Sequence, residues 1–131
     1  TANISTVLFR NDHVFAATAY RTGGGLAKIS RAGNAFRADE VYFTRQMQNH
    51  HGGMVLVGDY LYGFDDNRLT CINFMTGEVK WADRSVGKGS VTFADGRIYA
   101  RSERGPVALV EANPNAYVEK GQFMQAERSG K

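Results

Sequence analysis

Three segments of this chain repeat one another, and a repeat constrains the fold more than any other feature a sequence can carry. They run from Thr6 to Phe43, from Gly53 to about Ser85, and from Ser90 to Gln125. Phe15, Tyr62 and Tyr99 stand at matching places, each after a branched apolar residue (Val14, Leu61 and Ile98). Ile29, Ile72 and Leu109 form a second set of anchors. The second and third units align without a gap from Gly52 and Gly89 through Ile72 and Leu109. The first unit drifts between its anchors, and its extra length is assigned to Arg21-Thr22-Gly23-Gly24-Gly25, read as a triglycine turn. A spacing of about 40 residues with four apolar runs per unit is that of β-propeller blades.

Each unit resolves into short runs separated by turn signals. In the second, Met54 to Val57, Tyr60 to Phe64, Leu69 to Phe74 and Glu78 to Trp81 are divided by Gly58-Asp59, Asp65-Asp66-Asn67 and Thr76-Gly77. Such spacing predicts antiparallel hairpins. Met54-Val55-Leu56-Val57 does not alternate, as expected of a strand covered on both faces. In the third unit the runs are Val91 to Ala94, Arg97 to Arg101, Val107 to Glu111 and Ala116 to Val118. In the first, Val7 to Phe9, His13 to Tyr20, Leu26 to Ser30 and Ala35 onward play these parts. Fifteen Gly, eight Phe and six Tyr against two Pro suit many short strands, and no segment has a helical period. The expectation is an all-β chain of about three blades, each of four antiparallel strands. The blades fall at about 5–46, 52–85 and 89–125, within one domain, and residues 126–131 form a connector.

Charge and cysteine content narrow the function. Sixteen Lys and Arg against thirteen Asp and Glu leave +3, with the signs interspersed, so no nucleic-acid partner is indicated. No apolar run approaches a membrane span. The lone Cys71 excludes a disulfide and a multi-cysteine metal cluster within these residues. Gly87-Lys88-Gly89-Ser90 lacks the spacing of a phosphate loop, and Asp65-Asp66-Asn67 lacks the alternating acids of a calcium loop.

Cys71-Ile72-Asn73-Phe74-Met75-Thr76-Gly77-Glu78-Val79-Lys80-Trp81 resembles the Ala-x-Asp-x-x-Thr-Gly-x-x-x-Trp docking motif of PQQ-like (quinoprotein alcohol dehydrogenase-like) β-propeller repeat proteins. Cys71 stands for the small residue, Asn73 for the acid, Thr76 and Gly77 for the turn, and Trp81 for the indole. Asp95-Gly96-Arg97-Ile98-Tyr99 is similar to the approach to a second strand in that family. In the third unit Ala108 keeps the small residue while Val110 replaces the acid; the first has Lys28 at the small position and ends in Phe36. Asn49-His50-His51-Gly52-Gly53 and Val86 to Ser90 look like a bacterial subgroup of these propellers, whose chains continue beyond Arg128-Ser129-Gly130-Lys131.

The resemblance implies a binding or scaffolding module, periplasmic or otherwise extracytoplasmic, with any signal peptide upstream of Thr1. Its alternative is a fragment of a PQQ- and calcium-dependent oxidoreductase. The enzymes' adjacent-cysteine disulfide has no counterpart here, Cys71 and Trp81 have structural places, and no catalytic or metal-ligating residue is assigned. No cofactor is expected unless the alternative holds. Three blades leave two sheet faces bare, so the partners are further blades of a longer polypeptide or further copies of the chain. A protein partner joining by strand addition is a third possibility. The most suggestive polar group is His50-His51, read as lying on a strand at the rim of the central channel with its two rings on opposite faces. His51 aligns with Lys88, so His50, His51 and Lys88 are the candidate ligand-binding residues, suited to an anion.

Overall fold

The computed structural model describes residues 3–126. Apart from Ala126, the connector read at 126–131 lies outside the described residues, as does Thr1. Twelve strands and no helix are found among the described residues. Blade 1 comprises β1 (Leu8–Arg10), β2 (His13–Thr18), β3 (Gly23–Ala32) and β4 (Ala35–Thr44). Blade 2 comprises β5 (Met54–Val57), β6 (Tyr60–Asp65), β7 (Arg68–Asn73) and β8 (Val79–Asp83). Blade 3 comprises β9 (Gly89–Ala94), β10 (Arg97–Ser102), β11 (Pro106–Glu111) and β12 (Glu119–Met124). Each is a sheet in simple sequence order with every neighbouring pair antiparallel. The chain is therefore all-β, built of three four-stranded blades.

The adjacent anchors Val14-Phe15, Leu61-Tyr62 and Ile98-Tyr99 now have a physical reading. Successive strand residues point to opposite faces, so one of each pair looks back along the array and the other forward. Phe15 and Leu26 of blade 1 pack with Leu61, Ile72 and Phe74 of blade 2 in one buried cluster. Tyr62 and Cys71 on the other face of blade 2 pack with Ile98, Ala100, Ala108 and Val110 of blade 3 in a second. Blade 2 is thus covered on both sides, which is why β6 reads as an unbroken buried run from Leu61 to Phe64. Burial of these side chains, roughly 1.5–3 kcal/mol each, is what holds the sheets face to face.

Four local expectations are corrected. Gly23-Gly24-Gly25 is the first part of β3 rather than a turn; the reversal is Ala19 to Thr22. The glycines serve packing, since a Cβ on Gly24 would lie 2.5 Å from Phe15 Cζ. The ungapped register of units two and three fails at their second hairpins. Tyr62 pairs with Cys71, but Tyr99 pairs with Leu109, because the β10–β11 turn is one residue longer. Leu109, not Ala108, therefore matches Cys71, and Glu111 instead of Val110 matches Asn73. In blade 1 the same pairing puts Leu26 opposite Phe15, so Leu26 replaces Lys28 at the small position. Finally, Ala116 to Val118 is not a strand. Tyr117 leaves the sheet to bond Ser85 Oγ (2.7 Å) and the Glu119 carboxylate (2.8 Å), and the last strand starts at Glu119.

Candidate functional site

The docking motif forms a turn whose parts are each occupied. Asn73 Oδ1 accepts from the backbone N–H groups of Met75 (3.0 Å) and Thr76 (3.1 Å), and Gly77 N–H closes the turn on the Asn73 carbonyl at 2.8 Å. Gly77 has φ +76°, a left-handed conformation that disfavours side chains, and a Cβ there would meet the Tyr42 ring at 2.6 Å. Cys71 is fully buried, and burial pushes its thiol up to about 11, so it stays protonated and unreactive near neutral pH.

Trp81 lies across the seam between blades 2 and 3. Its indole N–H donates to the Asn113 carbonyl at 2.7 Å, and its ring meets Tyr62 on one side and Tyr117 edge-on at 5.5 Å on the other. Blade 1 has the same device in a residue that sequence reasoning missed. Trp81 pairs with Cys71 and Tyr42 pairs with Leu26, so Tyr42 instead of Phe36 takes the indole's place. The Tyr42 hydroxyl donates to the Phe74 carbonyl of blade 2 at 2.9 Å, and burial pushes its pKa up to about 12. The signal was obscured by the ten-residue β4 and its bulge, which move the aromatic away from a fixed spacing. Gly121 holds this position in blade 3, which therefore lacks an aromatic clamp there. Tyr42→Phe should cost about 1 kcal/mol in urea unfolding, by leaving the Phe74 carbonyl without its donor.

At one end of the array the interblade connectors meet the second turn of each blade. His50, His51 and Lys88 come together there, but not as expected. Residues 46–53 are not strand, so the two imidazoles lie side by side, with centroids 4.5 Å apart, instead of on opposite faces. Asn49 fixes this connector: fully buried, it donates to the carbonyls of Gly53 and Phe64, each at 3.0 Å, and accepts from the Ser5 hydroxyl. Lys88 Nζ lies 3.0 Å from His50 Nδ1, and Tyr20 Oη 3.0 Å from His50 Nε2. An ammonium only donates, so Nδ1 is the acceptor and the ring proton sits on Nε2, directed at Tyr20. Partial burial, then the charges of Lys88 and His51, hold the His50 pKa below the ordinary imidazole value, outweighing Glu103 and Asp66; the neutral tautomer is the stable one. His51 Nε2 meets the Glu103 carboxylate at 3.0 Å, with Lys88 Nζ 4.0 Å from the same oxygen.

A cleft of about 270 Å³ opens beside this network, lined by Tyr20, Arg21, Gln48, His50, Asp66 and Lys88, with Ala19 beneath. Tyr20, Arg21 and Glu103 were not singled out from sequence, and Asp66 was weighed there only as part of a calcium loop. They belong to turns of three different blades, and nothing local in a turn sequence says which connector it will face. Asp66 and Asn67 form such a turn after Asp65, the last residue of β6, and the described residues contain no group of three or more His, Cys, Asp or Glu able to hold a metal ion. No helix among them is long and apolar enough to cross a membrane.

Fold and site together define an array of stacked four-stranded blades with a polar cleft at the common rim. No protein-family model matches the chain, and no curated protein matches it.

Proposed function

We propose that the chain is a non-catalytic binding and scaffolding module of the PQQ-like propeller type, which completes its stack by docking like sheets onto its two end faces. The observation that carries this reading is the match between the open faces and the buried ones. Tyr99 and Leu109 on the open side of blade 3 occupy the places of Tyr62 and Cys71, which blade 3 covers, and of Phe15 and Leu26, which blade 2 covers. Val14 and Ala27 on the open side of blade 1 occupy the places of Leu61 and Ile72. Phe9 and Phe43 share that side and are 66% and 56% exposed, as Phe123 is 56% exposed on the open side of blade 3. A head-to-tail contact between two copies repeats the packing already present inside each one. The non-catalytic part is supported by the protonated, buried Cys71 and by the structural contacts of Trp81.

Light scattering on the isolated chain tests assembly. A mass that is a multiple of 14.4 kDa is expected, falling towards 14.4 kDa on dilution because the new seam has Gly121 where the others have an aromatic clamp. Phe43→Lys should shift the population to the single chain. A folded 14.4 kDa monomer at all concentrations would overturn the reading.

A further inference from the structure

We propose that the rim cleft between blades 1 and 2 binds a small organic carboxylate, held by Arg21, Lys88 and the Tyr20 hydroxyl. The inference rests on the binding half of the reading above, but not on assembly. Its first support is an inventory of donors. The Lys88 ammonium has three, of which His50 Nδ1 takes one, while Glu103 at 4.0 Å is an ion-pair partner beyond hydrogen-bond distance. Tyr20 accepts from His50 Nε2–H, so its own hydroxyl proton is left to donate. The Arg21 guanidinium has no hydrogen bond or ion pair among the described residues, although its backbone N–H is anchored to Gln48 Oε1 at 2.9 Å. Three donors therefore face one cleft with capacity to spare.

Donors and charge together set the ligand class. Arg21 and Lys88 stand against Asp66 in the lining and Glu103 beside Lys88, with His50 neutral, so the charges cancel and the spare donors alone call for an anion. A carboxylate adds one negative charge beside Asp66 and Glu103, whereas a phosphate dianion adds two, so the monoanion is the better fit. The Tyr20 ring and the Ala19 methyl supply an apolar wall for the body of the molecule, and the volume suits a compact metabolite.

The turn itself gives the second support. Tyr20 and Arg21 are consecutive left-handed residues, φ +59° and +65°. That conformation costs least in Asn and Gly, and a bulky aromatic followed by arginine is an expensive choice for a turn. The cost is local, while the gain is that both side chains reach the cleft.

The test uses benzoate as probe, its neutral isostere benzamide, and inorganic phosphate, with the His50 imidazole resonances of the chain as readout. Benzoate should shift them saturably and benzamide should not. Lys88→Gln and Arg21→Gly should each weaken benzoate by about tenfold or more, the loss of one charge-assisted contact. Arg21→Gly removes a side chain from a left-handed position, so its melting temperature should be unchanged or raised, which separates lost binding from lost folding even if Lys88→Gln misfolds. Equal shifts from benzamide, undiminished binding by Arg21→Gly, or tighter binding of phosphate would each overturn the proposal. A monomer that still responds to benzoate removes assembly alone; an assembled chain silent to benzoate removes the site alone.

Discussion

Gly89→Ala should destabilise the chain by more than about 4 kcal/mol, at the extreme of single-substitution effects and comparable to the whole stability of a small domain. Gly89 opens β9 and pairs with Ser102. A Cβ added there would lie 1.9 Å from the Arg101 carbonyl oxygen and 2.9 Å from Ser102 Cα. On its other side, the Gly89 carbonyl oxygen is 2.0 Å from where a Cβ on Gly52 would stand, and Gly52 in turn accepts from Val91 N–H at 3.1 Å. Three backbone segments from two blades are thus layered with no space for a methyl group. None of the colliding atoms belongs to a side chain that can rotate away, so β9 has to leave either β10 or blade 2. Gly87→Ala is the control: no atom lies within 4 Å of the added methyl, and only the left-handed φ of +80° opposes it. It should cost about 1 kcal/mol. Urea midpoints at constant m-value measure both. Similar costs for the two would mean that the close crossing of the connectors is not what holds blades 2 and 3 together.

The matched positions of Gly52 and Gly89 were visible in the repeat, and so was the blade architecture, for one reason. The sheet faces must be filled with apolar volume at fixed intervals, and Phe15, Tyr62 and Tyr99 with their branched neighbours record those intervals directly. Turn lengths are under no such constraint. One additional residue between β10 and β11 left the apolar pattern looking ungapped while exchanging the two faces of β11, so that Val110, not Leu109, shares a face with Ile98. The glycine triplet was misread because glycine marks both turns and places where a ring lies flat on the backbone, and here Phe15 makes the second case.

The rim was legible only in outline. His50, His51 and Lys88 converge, as the alignment of connectors suggested, but the geometry of two adjacent histidines depends on whether the backbone is extended. The Asn49 side chain satisfies Gly53 and Phe64 carbonyls that a regular strand would have paired otherwise, and it lets both rings lie together. Tyr20 and Glu103 then complete the network from turns that are 30 and 53 residues from His50 in sequence. Contacts of that kind follow from the stacking of blades and leave no local trace.

Trp81→Ala should cost about 3–5 kcal/mol, because the indole joins two blades in two ways at once. It fills the space between Tyr62 and Tyr117, with centroids 6.0 and 5.5 Å away, and it donates to the Asn113 carbonyl at 2.7 Å. Truncation leaves a cavity at the seam and removes the donor that ties the β11–β12 loop to blade 2. Two further variants separate these effects. Trp81→Phe keeps an aromatic ring and loses the N–H, so it should cost about 1–2 kcal/mol. Combining Trp81→Ala with Tyr117→Ala should cost less than the sum of the two single changes by about 0.5–1.5 kcal/mol, the coupling of an edge-to-face pair. Tyr42 supplies an internal comparison, since its hydroxyl makes the equivalent bond to Phe74 across the other seam. Both outer-strand aromatics therefore act as interblade clamps, and the two substitutions should be additive, as they load different seams. A cost below about 1 kcal/mol for Trp81→Ala would put the indole at the surface and detach the motif from the stacking of the blades.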